Sequence, residues 1–245
     1  MSSVTYLCFS LKLIHTSKAA AEEPLLFGGA VRRHNVHNHN YLVRFDKVST
    51  GFFCSGSIID KRWIISAAHC FNKKGKVKIM QHCGSRMQLL GYAKKIIRHP
   101  LYMQDKDVRD RLENDIALVR TRKSIKFGDF VQPIGLARKR TFGQMGTIAE
   151  YGMSENGFRD CLTVRISRCV YLPKHYKTLC SRTTSQPGPG DSGGALITRD
   201  GLVGLVSSIY MWEDKYNGQE IRMVDISLHH KWIQKVTNKT LRIKV

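Results

Sequence analysis

The sequence predicts an all-β protein built as a sandwich or as barrels, and three observations point there. Short apolar segments recur between turn residues from Gly28-Gly29 onward, as in Tyr41-Leu42-Val43-Arg44-Phe45, Trp63-Ile64-Ile65-Ser66 and Thr147-Ile148-Ala149-Glu150-Tyr151. A hairpin is explicit where Ala195-Leu196-Ile197 and Leu202-Val203-Gly204-Leu205-Val206 flank Arg199-Asp200-Gly201. Only the end of the chain reads as helical. There Asp225 or Ser227 can cap a segment whose Leu228, Trp232, Ile233 and Val236 share one face. No linker rich in Pro, Gly or Ser divides the 245 residues, so one structural unit is expected. Arg120 to Gly135 is the candidate crossover between two groups of strands, with a cleft between the groups where a site can lie.

The first 25 residues stand apart. Val4 to Leu11 is apolar, Lys12 interrupts it, and Ala19-Ala20-Ala21 offers a small-residue cleavage site, although a basic start is missing. No later stretch approaches twenty consecutive apolar residues, so no membrane span is expected.

Forty Lys and Arg against nineteen Asp and Glu give a formal charge of +21, which sets a positive potential over much of the surface. From Lys61 to Gln104 there is no Asp or Glu, while Lys73, Lys74, Lys76, Lys78, Lys94, Lys95 and Arg98 crowd together. The run from Lys231 to Val245 repeats the bias. Two readings stay open: a solubilising face, or a surface for an anionic glycan or other polyanion. The chain carries no recognisable docking motif for nucleic acid, so specific nucleic-acid binding is not expected.

Seven cysteines cannot all pair within one chain. Cys54 and Cys70 flank one candidate catalytic stretch, and Cys169 and Cys180 flank a short loop before another. Such spacing suggests disulfides and an oxidising compartment, while connectivity is left undetermined by counting. Zinc is the rival reading, but no close Cys-x-x-Cys or Cys/His cluster offers four ligands at metal-site spacing.

Three stretches carry chemistry. Gly190-Asp191-Ser192-Gly193-Gly194 places a serine in a glycine-rich turn where backbone can approach a substrate closely. Ser66-Ala67-Ala68-His69-Cys70 sets a histidine between small residues and a cysteine. Asn114-Asp115-Ile116-Ala117-Leu118 puts a carboxylate directly before an apolar segment, where burial would demand a partner such as a histidine N–H. Together they supply a nucleophile, a base, a group to fix the base, and donors for an oxyanion.

In the order His, Asp, Ser, these stretches resemble the chymotrypsin/trypsin family of serine proteases, from about Leu26 to the C-terminus. The departures described below resemble those of divergent insect members. The resemblance implies two antiparallel six-stranded β-barrels with a C-terminal α-helix, and a catalytic cleft between the barrels. It also implies a secreted, extracellular endopeptidase, residues 26–245, preceded by an atypical signal or pro-segment, residues 1–25. Ser192 would attack a peptide carbonyl, His69 would carry the proton, and Asp115 would orient the imidazole. The N–H groups of Gly190 and Ser192 would form the oxyanion hole, and Ser207 would stand behind the buried aspartate beside the specificity pocket. Cys54–Cys70 and Cys169–Cys180 match two family disulfides. Protein or peptide substrates, a monomer, and no cofactor or metal follow. The loop near Cys83 has no carboxylate to bind calcium.

Departures bear on activation and selectivity. Leu26-Phe27-Gly28-Gly29 stands where the family is cleaved, yet Leu25 rather than Arg or Lys precedes it. An α-amino group on Leu26 is expected to pair with Asp191. Gln186 stands where trypsin-like members have aspartate, so strong Arg/Lys selection is not expected. Pro187 and Gly188 follow, without the usual pocket cysteine. Ile209 replaces a pocket-wall glycine and would narrow or close the pocket, and the region of Ile221 holds a second such position. An open pocket favours small apolar side chains; a closed one favours a non-proteolytic homologue that binds protein or polyanion. Cys161 lacks its usual family partner and either pairs with Cys83 or remains a thiol. Asn238-Lys239-Thr240 is a candidate glycosylation acceptor.

Overall fold

The computed structural model of the chain describes residues 39–49, 51–83, 86–102, 112–140, 142–152, 160–170, 172, 176–183, 190–212, 218–238 and 243–244. Six antiparallel strands come first: β1 (Leu42–Lys47), β2 (Gly51–Asp60), β3 (Trp63–Ser66), β4 (Val77–Cys83), β5 (Arg86–Arg98) and β6 (Ala117–Thr121). They close into a barrel in the order β1-β2-β3-β6-β5-β4. Alternation along β1 and β6 sends Val43, Phe45, Ala117 and Val119 into the barrel interior, where Phe45 packs edge-on against Phe71 with ring centroids 5.3 Å apart. The opposite faces are also buried. Leu42, Ile65 and Leu118 join a second core shared with Leu205, Val224 and Ile233 from the other half of the chain. Burial on both faces explains why segments such as Trp63-Ile64-Ile65 are continuously apolar rather than alternating.

The second half contributes β7 (Leu136–Ala137), β8 (Met145–Glu150), β9 (Asp160–Arg165), β10 (Thr178–Thr183), β11 (Ala195–Thr198), β12 (Gly201–Trp212), β13 (Gly218–Asp225) and β14 (Ile243–Lys244). Six of these run in the order β10-β13-β12-β11-β8-β9. The path curls round until an isolated bridge between Ser167 and Cys180 joins its ends, so this barrel is less completely closed than the first. The β11–β12 hairpin turns at Arg199-Asp200, as its sequence predicts. The short strand β7 adds in parallel to β12 and β14. Between β6 and β7 the chain crosses from one barrel to the other.

The C-terminal helix α1 spans His230–Thr237. Asp225 caps not this helix but a preceding single turn, Ile226–Leu228, by accepting the Ser227 N–H at 3.0 Å. Ile233 is fully buried in the shared core and Trp232 and Val236 pack against it. Leu228, expected on the same face, lies in the preceding turn and is 43 % exposed. The helix ends at Asn238, in the left-handed conformation at φ 51°, whose N–H returns to Gln234 O. Among the described residues no helix is long and apolar enough to cross a membrane.

Candidate active site

Asp115 precedes β6, and the shared core on one side and the second barrel on the other leave its side chain almost no water. The residue is 3 % exposed. A carboxylate so placed is tolerated only with donors around it. Oδ1 accepts the backbone N–H of His69 at 2.8 Å, while Oδ2 lies 2.6 Å from His69 Nδ1 and accepts the Ser207 hydroxyl at 2.5 Å. Because the carboxylate accepts, the proton of a neutral imidazole sits on Nδ1, and Nε2 keeps its lone pair.

His69 lies in a single 3₁₀ turn, Ala68–Phe71, directly after β3. The Cys54–Cys70 disulfide ties this turn to β2. Ala67 and Ala68 are fully buried, so nothing larger could stand between strand and turn without displacing the ring.

Ser192 belongs to the turn that enters β11. Gly190 has φ 101° and Gly193 φ 79°. A Cβ on Gly190 would meet the Phe52 ring at 2.2 Å and one on Gly193 would meet Ser55 O at the same distance, so glycine is required at both for conformation and space. Ser55, on β2, holds the turn to the first barrel. Its N–H donates to Ser192 O at 2.8 Å and its hydroxyl to Gly190 O at 3.0 Å, while Tyr151 N–H donates to that hydroxyl at 2.9 Å. Ser66 Oγ in turn donates to Ser55 O at 2.7 Å. Sequence reasoning missed both serines. Their signal was faint: polar residues inside otherwise buried strand runs.

The serine and histidine are thus carried into one neighbourhood from separate barrels. Among the described residues no hydrogen bond joins Ser192 Oγ to His69; such contacts often tighten only when substrate is bound. The Gly193 N–H donates to Val206 O on β12 and the Gly194 N–H to Asp191 O within the turn, at 2.8 Å each. Among the described residues the N–H groups of Gly190 and Ser192 donate to no acceptor. Asp191 is buried beside them, 3 % exposed. Leu26, its expected partner, lies outside the described residues.

The pocket positions divide. Gln186, Pro187 and Gly188 fall outside the described residues. Ser207 turns its hydroxyl to Asp115 rather than into open space. Ile209 is 37 % exposed and faces Ile221 across the β12–β13 ladder, where Ile221 is 2 % exposed. Behind that wall sits an ion pair the sequence did not reveal: Glu220 and Arg222, both buried and 3.3 Å apart. Glu220 also accepts the Val170 N–H at 2.8 Å beside the Cys169–Cys180 disulfide, and the Arg222 guanidinium lies 4.2 Å from the Tyr210 ring. Alternate residues of one strand point the same way, so the two charges could find each other only once β13 formed.

Cys161 retains its thiol, buried, with Sγ 3.0 Å from His39 Nε2, so it is not joined to Cys83. Cys83 is disulfide-bonded to a residue outside the described set. Among the described residues two groups of potential metal ligands occur, Cys54-His69-Cys70 and Cys169-Cys180-Glu220, and each contains a disulfide, whose sulfurs are no longer thiolates. Of the glycosylation triplet, Lys239 and Thr240 lie outside the described residues.

A pair of histidines braces the aspartate segment from behind. His99 N–H donates to Ile116 O at 2.9 Å, and His229 Nε2 lies 2.9 Å from Glu113 O. Their rings meet with centroids 5.0 Å apart, and Trp232 closes on His99 at 4.8 Å. Burial, and then the neighbouring His229, pushes His99 down to about 4. Burial also lowers His229 and His230.

Residues 28–233 match the protein-family profile described as Trypsin. Alpha-fibrinogenase albofibrase of Trimeresurus albolabris is 30% identical over 220 residues, covering 81% of this chain and 82% of that protein. Trypsin-2 of Salmo salar is 27% identical over 175 residues, covering 63% of this chain and 73% of that one. Among solved structures, neuropsin, a serine protease expressed in mouse brain, superposes with a TM-score of 0.71 at 24% identity, over 86% of this chain and 100% of its own.

Proposed function

This chain belongs to the trypsin family and is a serine endopeptidase, and we propose that it cleaves peptide bonds through an acyl-enzyme formed on Ser192. His69 Nε2 takes the proton of Ser192 as the hydroxyl attacks the carbonyl carbon, then returns it to the leaving amine. Water repeats the sequence to release the acid. Asp115 fixes the ring and stabilises the imidazolium. The Gly190 and Ser192 N–H groups receive the oxyanion, an interaction typically worth about 10²–10³ in rate per donor. The observation that carries this reading is the buried Asp115 carboxylate with its His69 and Ser207 donors, an arrangement that leaves Nε2 as the basic nitrogen.

The finer reading follows the same residues. Residues 26–245 form the peptidase unit and residues 1–25 a signal or pro-segment. Two disulfides support secretion into an oxidising space. A new α-amino group at Leu26 pairs with Asp191 and orders the nucleophile turn. With Gln186 at the pocket base and Ile209 on its wall, substrates carry a small apolar side chain before the cleaved bond. The alternative, a homologue that binds without cleaving, draws no support from relatives named as proteases.

The test is covalent labelling by a fluorophosphonate probe, mapped by peptide mass spectrometry. Protein beginning at Leu26 should carry the adduct on Ser192, whereas His69→Ala and a form extended at its N-terminus should not. Labelling of the extended form at the full rate would overturn the Leu26–Asp191 pair alone. An unlabelled, folded protein beginning at Leu26 would overturn the mechanism.

A further inference from the structure

The charge that the sequence scatters over fifty residues is gathered by the first barrel into one band. Across neighbouring strands β6, β5 and β4, Arg120 is the ladder partner of Lys95, and Lys78 is the partner of Tyr92. Lys76 holds its ammonium 4.6 Å from the Tyr92 ring, and Arg122 N–H donates to Tyr92 O at 2.9 Å. Lys94 lies at a bulge in β5, where the register to β6 shifts between Ala93 and Lys95. Lys76, Lys94, Lys95 and Arg122 are exposed. Strand spacing of about 4.8 Å spreads these cations over roughly 10 Å perpendicular to the strands, with further length along β5.

Among the described residues no ion pair joins an acid to Lys76, Lys78, Lys94, Lys95, Arg120 or Arg122. Asp46, the acid on its edge opposite Lys78, is engaged by Arg44 at 2.6 Å. A solubilising face works as well with mixed signs, and uniform sign costs self-repulsion. At its other edge the band reaches the catalytic turn: Arg98 Nη1 donates to Asn72 Oδ1 at 3.1 Å, and Asn72 N–H donates to His69 O at 3.4 Å.

We propose that this band is a binding site for a linear sulfated glycan, which would hold the protein on glycan-rich surfaces beside its substrates. The occupant is chosen on three grounds. Closely spaced ammonium and guanidinium groups match a repeating anionic chain. The disulfides place the protein in an oxidising space, away from most nucleic acid. The barrel surface is curved, which a flexible glycan can follow and duplex DNA, with a persistence length of about 50 nm, cannot follow without a bending cost. The proposal rests on the fold and not on catalysis, so loss of enzymatic activity leaves it standing.

The experiment compares heparin binding by the full chain with two variants of equal net charge. One is K76Q/K78Q/K94Q/R122Q; the other, K231Q/K235Q/R199Q/R182Q, removes four exposed cations outside the first barrel. The band variant should bind at least about tenfold more weakly and lose roughly three to four from the slope of log K against log salt, with the second variant close to the parent. Equal losses in both variants would reduce the effect to net charge and overturn the site. So would duplex DNA, or vesicles of phosphatidylcholine and phosphatidylserine, binding as tightly as heparin at equal charge. Lysine acetylation of the unaltered chain gives a readout free of folding effects. Heparin should protect Lys76, Lys78 and Lys94 but not Lys231, and uniform protection would count against the band.

Discussion

His69 and His99 touch the same short segment, residues 113–117, from opposite sides, and their surroundings have opposite character. His69 is partly open to solvent and faces the Asp115 carboxylate, an anion that contacts its ring at Nδ1 and accepts its backbone N–H. His99 is pressed between Trp232 and a second imidazole, where burial and a like charge both disfavour a proton. One ring is set beside an anion and the other where a proton is disfavoured. Tertiary neighbours rather than residue type assign each histidine its task.

Removing the anion from the first side should give the largest effect. Asp115→Asn keeps the shape but lets the amide favour the wrong imidazole tautomer, so kcat should fall by about 10⁴, the size seen for such triad replacements. Peptide hydrolysis at pH 7 and a thermal unfolding midpoint read the two consequences separately. A normal rate would mean that His69 is not oriented by this carboxylate.

A smaller loss is expected when only the support is removed. Ser207→Ala deletes a donor to a buried anion, an interaction worth about 1.5–3 kcal/mol. Some of that shows as stability and some as rate, with kcat down about 10- to 100-fold and KM little changed. A change in KM alone would assign Ser207 to substrate contact instead.

The smallest effect concerns the second side. His99 binds its proton near pH 4 when folded and near 6.5 when unfolded. The folded form therefore takes up the proton less readily. Stability is complete above about pH 6.5 and is lost as pH falls through the window down to about 4. The full shift would correspond to about 3 kcal/mol, but the ring is only half-buried and solvent screening reduces this to about 1–2 kcal/mol. Calorimetry of the parent and of His99→Gln between pH 7 and 4 should show the parent losing more. Parallel curves would place the acid sensitivity in His229 and His230.

Legibility in the sequence followed range. Stretches whose meaning is local could be read directly: the strand runs, the β11–β12 turn, and the three stretches around His69, Asp115 and Ser192. In each, the residue types themselves limit what the backbone can do. The helix was visible too, but Leu228 was misassigned to its buried face because a capped turn before His230 breaks the period. The thiol of Cys161 was one of two options, since pairing depends on where strands from distant parts of the chain come to lie.

The sequence alone determined an all-β chain with a histidine, an aspartate and a serine in the order of one protease family, together with a large positive charge. Only the tertiary structure decided what surrounds them. Ser55 clamping the nucleophile turn, Ser207 on Asp115, the Glu220–Arg222 pair and the cationic band all join residues from different strands or from alternate positions of one strand. Such contacts have no local signature, because barrel closure brings the partners together and burial then makes their pairing obligatory.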